Sequence, residues 1–529
     1  MEAVLQAIAA ATQPGVLAAT TAGAIAGLVV SAVPGLTFSM ALILVMPFTF
    51  GMDALPAIAM LFGVYSGGMT GGAVSAVLIG IPGTPSAAAT VFDGYAMARK
   101  GEASVALGAS VIASAFGGLF SLVVMALLLE QVAAVAIRFG PAEIFALVLF
   151  GLSTICGLAE RSLVRGLIAG VLGLMIMTVG LDEIDGVGRL TFGTVQLQQG
   201  VHMLVAMIGL FAVPKVIETF AGHGRVSLET VTEDVRGLLP WSRLRGYWGL
   251  MTRASIIGTL VGAVPGTGGP IASFLAYDHA RRFSKRPEEY GKGEIGGVVA
   301  PEAANNAVMG GALIPMLSLG IPVDAATAII LGGLLIHGLQ PGPLLFQTNL
   351  DVIYALYVTV MVSWIVILLA QVIGIRIFVR VLRVPPHLLA VCILGLCVIG
   401  AYAVRNSTFD VYAMAVFGLG GYLLQRARIP VAPVVLGLVL GPTLEQQYRT
   451  ALILSEGSHT IFLESPFAMT FFALTAAVVG WHVWSSLRAR EVRVAPSAEG
   501  SAEALDQSTA FSVATGRFSR IAKWRRRWR

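Results

Sequence analysis

Two proline–glycine interruptions recur at corresponding places in the two halves of this 529-residue chain. Residues 27–35 read GLVVSAVPG and residues 258–266 read GTLVGAVPG, with six of nine positions identical. Gly-Ile-Pro follows each phrase, at residues 80–82 and at residues 320–322. Proline removes a backbone donor and glycine permits unusual dihedral angles, so each place predicts a break in a helix. At such breaks, freed N–H groups attract carboxylates and freed carbonyl groups coordinate cations such as Na⁺.

Polar side chains beside the breaks extend this predicted site. Thr37, Thr84 and Ser86 add hydroxyl groups after the two first-half breaks. Residues 301–307, PEAANNA, form a polar island whose two adjacent amides can bind a carboxylate or a cation. The predicted substrate- and ion-binding residues are Pro34, Gly35, Thr37, Pro82, Gly83, Thr84, Pro265, Gly266, Thr267, Gly268, Asn305, Asn306, Gly320, Pro322 and Asp324.

Each of these features also has a purely structural explanation. Glycine and proline are frequent in membrane helices, so one break alone would predict no more than a kink. Four breaks paired across a duplication favour a binding site. The PEAANNA island can also be a helix start at the membrane surface. Glu302 within it would be costly in lipid, so we expect it to face a cavity, a partner or an interface. Asp93 is expected to be a helix cap or interface residue.

The elements that position these residues follow from composition. The chain is 56% hydrophobic and only 12% charged, whereas soluble proteins carry about 25% charged residues. Apolar stretches long enough to span a bilayer recur, for example at residues 103–129 and 353–373. The sequence therefore predicts an all-α polytopic membrane protein with roughly 10–12 spans of about 20 residues. Segments next to the breaks can be re-entrant instead of spanning, which leaves the span count open.

The two phrases divide the chain into repeated halves. We predict a first membrane repeat at residues 14–219, a polar linker at 220–247, a second repeat at 248–487 and a basic tail at 488–529. The nine extra residues between the second-half breaks fit a charged loop at residues 281–293. The repeats are expected to be inverted, because transporters with discontinuous helices commonly have that architecture.

Charge predicts the orientation of the chain in a membrane. The tail has ten basic and four acidic residues, a net charge of +6, whereas the whole chain carries only +5. Further basic clusters lie at residues 99–100, 376–383 and 426–428. By the positive-inside rule these segments and the C-terminus are cytoplasmic. The tail is expected to be disordered up to its basic-aromatic end, which can lie on anionic lipid. A nucleic-acid partner is not indicated.

Motifs of catalysis are absent from the sequence. There is no nucleophile elbow, no HExxH motif, no Cys/His metal spacing and no Walker motif. We therefore expect a protein that is not an enzyme, uses no cofactor and does not hydrolyse ATP itself. Transport would then be driven by an ion gradient or by another subunit. No cleavable signal peptide is evident at the N-terminus.

Long phrases of the chain resemble one known family. VPGLTFSMALILVMPFTFGMDALPAIAMLFGVYSGG begins at Val33, PEAANNAVMGGALIPMLSLGIP at Pro301 and LLIHGLQPGPLLF at Leu334. These phrases are similar to the large membrane subunit of the tripartite tricarboxylate transporters (TctA-like), and the resemblance runs from about residue 15 to about residue 480. It implies a multi-pass protein of the bacterial inner membrane that imports carboxylates such as citrate. It also implies a small four-helix membrane subunit, a periplasmic substrate-binding protein, and Na⁺ or H⁺ as the coupling ion.

The chain departs from that family near the breaks. Gly80 stands where the family often has Asn, and Val323-Asp324 stands where it often has Gly-Ser. Polar groups are thus lost and a carboxylate is gained, so a smaller or less charged acid becomes a reasonable cargo. Two alternatives remain from the residues alone. One is a self-sufficient ion-coupled carboxylate symporter, and the other is a membrane scaffold or sensor that binds a ligand without transporting it.

Overall fold

The structure is a computed structural model that describes residues 2–158, 163–182, 184–221, 241–381 and 386–494. Residues 1–479 form one compact unit, and residues 480–529 form a second. Most of the predicted linker and nearly all of the predicted tail lie outside the described residues, so the division into four segments stays a prediction.

Helices make up nearly all of the regular structure, which confirms the predicted all-α class. The α-helices are α1 Glu2–Ala11, α2 Pro14–Ala32, α3 Phe38–Val45, α4 Ala54–Ile79, α5 Ala88–Arg99, α6 Ala103–Ala136, α7 Pro141–Leu158, α8 Leu163–Met177, α9 Val195–Gln198, α10 Met203–Phe220, α11 Trp241–Leu244, α12 Trp248–Gly262, α13 Gly268–Arg282, α14 Gly296–Leu319, α15 Ala325–Ile336, α16 Leu345–Thr348, α17 Leu350–Val381, α18 Pro386–Arg405, α19 Thr408–Arg426, α20 Val431–Leu454, α21 Ile461–Glu464 and α22 Pro466–Val494. Short 3₁₀ turns occupy Met46–Thr49, Pro85–Ala87, Arg245–Tyr247 and Pro287–Glu289, and β1 Gly180–Leu181 pairs antiparallel with β2 Gly188–Arg189.

The four predicted breaks are present as helix ends. The first phrase separates α2 from α3, and the second separates α12 from α13. α4 ends at Gly80 with φ 69°, and α14 ends at Gly320 with φ 72°. Both glycines therefore adopt the left-handed conformation that commonly ends a helix and that other residues enter only with strain.

In each half, the helix before the first break packs closely against the helix before the second break. A Cβ atom built at Gly27 of α2 would clash with the Val64 carbonyl oxygen of α4. At the equivalent position of the second phrase, Gly258 of α12 would clash in the same way with the Ala304 carbonyl oxygen of α14. Small residues allow helix backbones to approach this closely. Pairs α2–α4 and α12–α14 are therefore packed alike, backbone against backbone.

Contacts at the helix ends link the two halves. Lys100, just after α5, donates to the Lys292 carbonyl oxygen at 2.6 Å. Glu102 pairs with Arg243, which precedes α12, at 2.9 Å. In the other half, His337 at the end of α15 lies 3.1 Å from the Thr49 hydroxyl, after α3. The helix that follows the second break of each half, α5 or α15, thus ends beside the helix pair at the first break of the other half, α12–α13 or α2–α3.

Membrane-spanning character is clear in the described part of the chain. Five of its helices are long and apolar enough to span a bilayer: α2, α4, α6, α10 and the first part of α17. Shorter apolar helices, such as α7, α8 and α15, accompany them. Large apolar side chains such as Leu127 and Val416 are exposed on outer faces, as expected for contact with lipid. The predicted count of 10–12 spans stays a prediction.

Candidate functional site

Contacts between breaks bring the four interruptions together. A Cβ atom at Gly83 would clash with the Ser31 carbonyl oxygen, so the two first-half breaks touch. The Gly266 N–H donates to the Val323 carbonyl oxygen at 2.7 Å, so the two second-half breaks touch as well. A Cβ atom at Gly269 would lie 2.9 Å from Ser86 Cβ, which joins the two halves. The breaks therefore form one connected site.

The loop after α4 folds back onto its own helix. The Gly83 N–H donates to the Gly72 carbonyl oxygen at 3.2 Å. Thr84 packs against Gly72, and the hydroxyls of Thr84 and Ser86 lie 3.5 Å apart. Both side chains are buried. A cation or ligand at this loop would therefore meet oxygen atoms held away from bulk water.

Asn305 bridges the two halves at this loop. Its amide nitrogen donates to the Met69 carbonyl oxygen of α4 at 2.8 Å. Its amide oxygen is buried and, within the described residues, has no hydrogen-bond partner. That oxygen lies 2.5 Å from the position that a Cβ atom of Gly269 would take. Buried polar atoms are normally hydrogen-bonded, so an unpartnered acceptor beside a break indicates a binding position.

Asn306 faces a different environment from Asn305. Its amide oxygen accepts from Thr70 at 2.9 Å, and its amide nitrogen donates to Ser114 at 2.8 Å and to the Glu302 carbonyl oxygen at 2.9 Å. Every polar atom of this side chain is therefore used within the protein. In this geometry Asn305 lies against a break, and the prediction that both amides bind substrate or ion stays a prediction.

A second group of unpartnered polar atoms lies near the first break. The hydroxyls of Ser31 and Tyr65 are buried and lack a hydrogen bond to any described residue. The ring of Tyr65 packs 5.9 Å from that of Phe38, the first residue of α3. Tyr65 of α4 thus lies beside the first break of the first half.

Several predicted residues cap or stabilise the broken helix ends. Thr37 accepts from the Met40 N–H at 3.3 Å and caps α3. Asp324 accepts from the Thr327 N–H at 2.8 Å in a capping box at the start of α15. Thr267 donates to the Val264 carbonyl oxygen at 2.8 Å and so closes its own turn. Gly320 and Gly268 supply turn conformations with positive φ. Pro34, Pro82, Pro265 and Pro322 lie within the turns between the helices.

One basic residue near the site was missed by sequence reasoning. The Lys215 ammonium of α10 lies 3.2 Å from the position that a Cβ atom of Gly35 would take. It also pairs with Glu218 at 3.4 Å. The only available signal was a lysine within an otherwise apolar segment, directly after Pro214. A positive charge beside the first break can attract a carboxylate.

Asp93 lies outside this site and holds two segments of the chain together by hydrogen bonds. Its carboxylate accepts from the N–H groups of Gly291, Gly293 and Glu294 at 2.7–3.0 Å, and from the Tyr277 hydroxyl at 2.8 Å. These bonds tie α5 to the loop before α14. The expectation of an interface role for Asp93 agrees with this geometry.

Oxygen ligands rather than a metal cluster characterise the site. Across the described residues, no group of three or more His, Cys, Asp or Glu side chains is placed to hold a metal ion. A monovalent cation could instead use the neutral oxygens of Thr84, Ser86 and Asn305.

Comparisons with known proteins place the chain among transport proteins. Residues 17–436 match the family model described as "Tripartite tricarboxylate transporter TctA family". An uncharacterized 52.8 kDa protein in the TAR-I ttuC' 3'region of Agrobacterium vitis is 34% identical over 452 residues, which cover 85% of this chain and 90% of that protein. An uncharacterized protein in the TAR-II ttuC' 3'region of the same organism is 35% identical over 237 residues, 45% of this chain and 98% of that protein. No solved structure matches.

Proposed function

Because the chain belongs to the tripartite tricarboxylate transporter TctA family, we propose that it is the large membrane subunit of a binding-protein-dependent secondary transporter. Its cargo is an organic acid, either a tricarboxylate such as citrate or a smaller acid. A gradient of Na⁺ or H⁺ drives import, and the acid crosses the membrane chemically unchanged. The observation that carries this proposal is the meeting of four helix breaks, two from each half, around buried polar groups.

The broken helices suit an anionic cargo. α3, α13 and α15 each begin directly after a break, and the N-terminal end of a helix carries partial positive charge. The Lys215 ammonium adds a full positive charge beside Gly35. Asp324 adds an acidic side chain at the start of α15, directly after the last break. An acidic group at the site disfavours a cargo with many negative charges, so we propose an acid with fewer negative charges than citrate.

The pairing of helix ends supports an inverted repeat. The helix pair α12–α13, at the first break of the second half, lies beside the end of α5, and α2–α3, at the first break of the first half, lies beside the end of α15. Two repeats of opposite membrane orientation produce this reciprocal placement. In such transporters, access alternates when one repeat or bundle moves against the other around a fixed site.

We propose two protein partners and one location. A small four-helix membrane subunit completes the permease, and a periplasmic binding protein delivers the acid. The complex lies in the bacterial inner membrane with the C-terminus of this chain in the cytoplasm. The family name supports a multi-subunit system, and the basic clusters support the orientation.

Uptake by variants at the breaks tests this proposal. The cargo is first identified by mass spectrometry as the acid that co-purifies with the binding protein. Gly35→Leu, Gly83→Leu, Gly266→Leu and Gly320→Leu should each abolish uptake of that acid by cells that express all three subunits. The reason is that a side chain at these positions either strains the turn or displaces a neighbouring break.

Matched controls separate transport from insertion. Gly420→Leu should transport normally, because no atom lies within 4 Å of a Cβ at this position of α19. All variants should reach the membrane in equal amounts. Normal uptake by the break variants would contradict the proposal. Full uptake in cells that lack the binding protein would favour a self-sufficient symporter instead.

A further inference from the structure

Glu302 is a fully buried acid whose side chain meets only uncharged groups. Its exposed fraction is zero, and it lies inside α14. Its Oε1 atom lies 2.5 Å from Thr90 Oγ1 of α5, and its Oε2 atom lies 3.2 Å from Ser114 Oγ of α6. Ser114 lies within the candidate spanning helix α6, which places Glu302 beside a span. An ionisable residue at membrane depth is expensive to keep, so it generally marks an ion or proton pathway.

Charged neighbours do not stabilise this carboxyl group within the described part of the chain. α6 has no titratable side chain between Ala103 and Leu129. The titratable groups on the other helices that pack against α14 are Tyr65 of α4; Asp93, Tyr95 and Arg99 of α5; Arg253 of α12; and Tyr277, Asp278, His279, Arg281 and Arg282 of α13. The described hydrogen bonds of the Glu302 carboxyl group are to Thr90 and Ser114 and to none of these groups. Burying an unpaired charge is costly, and uptake of a proton removes that cost.

The hydrogen bonds around Glu302 have a direction. Thr70 donates to Asn306, Asn306 donates to Ser114, and the Ser114 hydroxyl hydrogen is then left to donate to Oε2. Oε2 is therefore fixed as an acceptor. Thr90, in contrast, can either donate to Oε1 or accept from it, because a hydroxyl has both capacities. The arrangement accommodates both protonation states of Oε1 without moving a heavy atom.

We propose that Glu302 Oε1 carries the coupling proton of the transport cycle. This inference rests on the proposed function and names its driving ion as H⁺. Oε1 takes a proton from the periplasmic side when the site opens there, and the carboxylate becomes a neutral acid. The proton leaves to the cytoplasm when the site opens inward, and the carboxylate is restored. One proton thus moves with each cycle, and no bond of the cargo changes.

The route from proton to cargo site runs from the first turn of α5 to the 3₁₀ turn Pro85–Ala87 before it. Thr90 of α5 lies four residues after Ser86 of that turn, so the two side chains lie on about the same face of the continuous segment. Ser86 in turn packs against Gly269 at the junction of the two halves. A change in the Glu302–Thr90 bond therefore acts on the helix that carries the second break of the first half.

Infrared spectroscopy of the purified full-length protein tests the proposal without a cargo. A difference spectrum between acidic and alkaline buffer should contain a protonated-carboxyl band that Glu302→Gln removes. Thr90→Val should shift this band to higher frequency because it loses the hydrogen bond, whereas Thr90→Ser should leave it in place. The control Glu130→Gln, at an acid outside the site that accepts from Tyr354, should leave the band unchanged. A band that does not change with pH would overturn the proposal.

A second measurement links the proton to conformation. Ser86→Cys in a background with Cys156, Cys392 and Cys397 replaced by Ser provides a reporter at the junction. Because the thiolate is the species that reacts, the rate with a small maleimide is divided at each pH by the rate of the same reporter carrying Glu302→Gln, which cancels the ionisation of the thiol itself. This ratio should change with pH over the range in which the Glu302 band appears. A ratio that is independent of pH, with a rate that responds to Na⁺ against K⁺, would overturn the proposal in favour of sodium coupling. Either failure leaves the glycine uptake test of the proposed function intact.

Discussion

At the scale of single residues, adjacent identical amides have different hydrogen-bond partners. The amide oxygen of Asn305 lies beside a break without a partner among the described residues, whereas the polar atoms of Asn306 hydrogen-bond to Thr70, Ser114 and the backbone. Successive residues on a helix point about 100° apart, so two neighbours need not share a site. The sequence predicted that both amides belong to the binding site. Only the packing of α14 against α4 and α6 distinguishes the two side chains.

Asp324 is expected to select cargo by its charge and to stabilise α15 by its cap. Asp324→Asn keeps a capping side chain, so its thermal stability should equal that of the wild type, whereas Asp324→Ala should lose about 1 kcal/mol. Removing the acidic group should raise the affinity for a tricarboxylate relative to a monocarboxylate by about tenfold, which corresponds to about 1.4 kcal/mol of relieved like-charge repulsion.

Competition assays with a tricarboxylate and a monocarboxylate measure the ratio of their affinities in the Asp324→Asn variant. Thermal unfolding in detergent measures the cap separately. An unchanged affinity ratio would show that the carboxylate serves only as a helix cap.

At the scale of elements, sequence reasoning located the breaks because proline and glycine act locally. Gly80 and Gly320 end their helices in the left-handed conformation, as their neighbours in sequence suggest. The packing of one break against another depends on contacts between residues far apart in the chain, such as Gly269 with Ser86. Local patterns do not contain that information. Lys215 was missed for the same reason, since only the fold brings it to Gly35.

The glycines at these close helix contacts should be the helix positions that tolerate a larger side chain least. Gly27→Ala in α2 and Gly258→Ala in α12 would each press a methyl group against a carbonyl oxygen of the facing helix. We expect each to lower the free energy of unfolding by about 1–3 kcal/mol, the usual cost of overpacking. Thermal unfolding in detergent would measure the loss.

Gly420→Ala is the matched control for these two variants. It adds the same methyl group to a helix where no atom lies within 4 Å. Alanine favours the helix over glycine, so this variant should be as stable as the wild type or slightly more stable. Equal stability of all three variants would mean that the backbones can separate at little cost.

At the scale of the whole protein, the chain order predicts which loops share a side of the membrane. α6, α7 and α8 lie between the turn at residues 99–102 and the loop at residues 178–202. We predict that each of these helices crosses the membrane, although of the three only α6 meets the length and hydropathy criterion. The turn and the loop then lie on opposite sides, and a crossing by α10 returns the chain to the first side. The ion pair between Arg243 and Glu102 agrees with that return.

Labelling of single cysteines tests this topology. In a background with Cys156, Cys392 and Cys397 replaced by Ser, Phe192→Cys should react with an impermeant maleimide on intact cells, because Phe192 is 82% exposed in the loop after α8. Lys285→Cys, in the basic loop after α13, should react only after the membrane is permeabilised. Reaction of both residues from the same side would refute the inverted arrangement.

The fold class and family followed from the sequence, but the number of spans did not. Five helices of the described residues meet a simple length and hydropathy criterion, against roughly 10–12 predicted spans. Helices cut by a break, such as α3 and α15, are too short to meet that criterion. Hydropathy counts apolar residues along the chain, whereas the depth that a broken helix reaches depends on what it packs against.

The glycine contacts between α2 and α4 also bear on how the protein responds to warming. Side chains that interdigitate gain rotational freedom as temperature rises, but a backbone pressed against a backbone has little such freedom to gain. Beside the breaks, in contrast, buried polar atoms lack a hydrogen-bond partner among the described residues, including the Asn305 amide oxygen and the Ser31 hydroxyl, and such unpaired groups lower local stability. Segments of low local stability open first. Heat should therefore erode ligand recognition while the helical content is still intact.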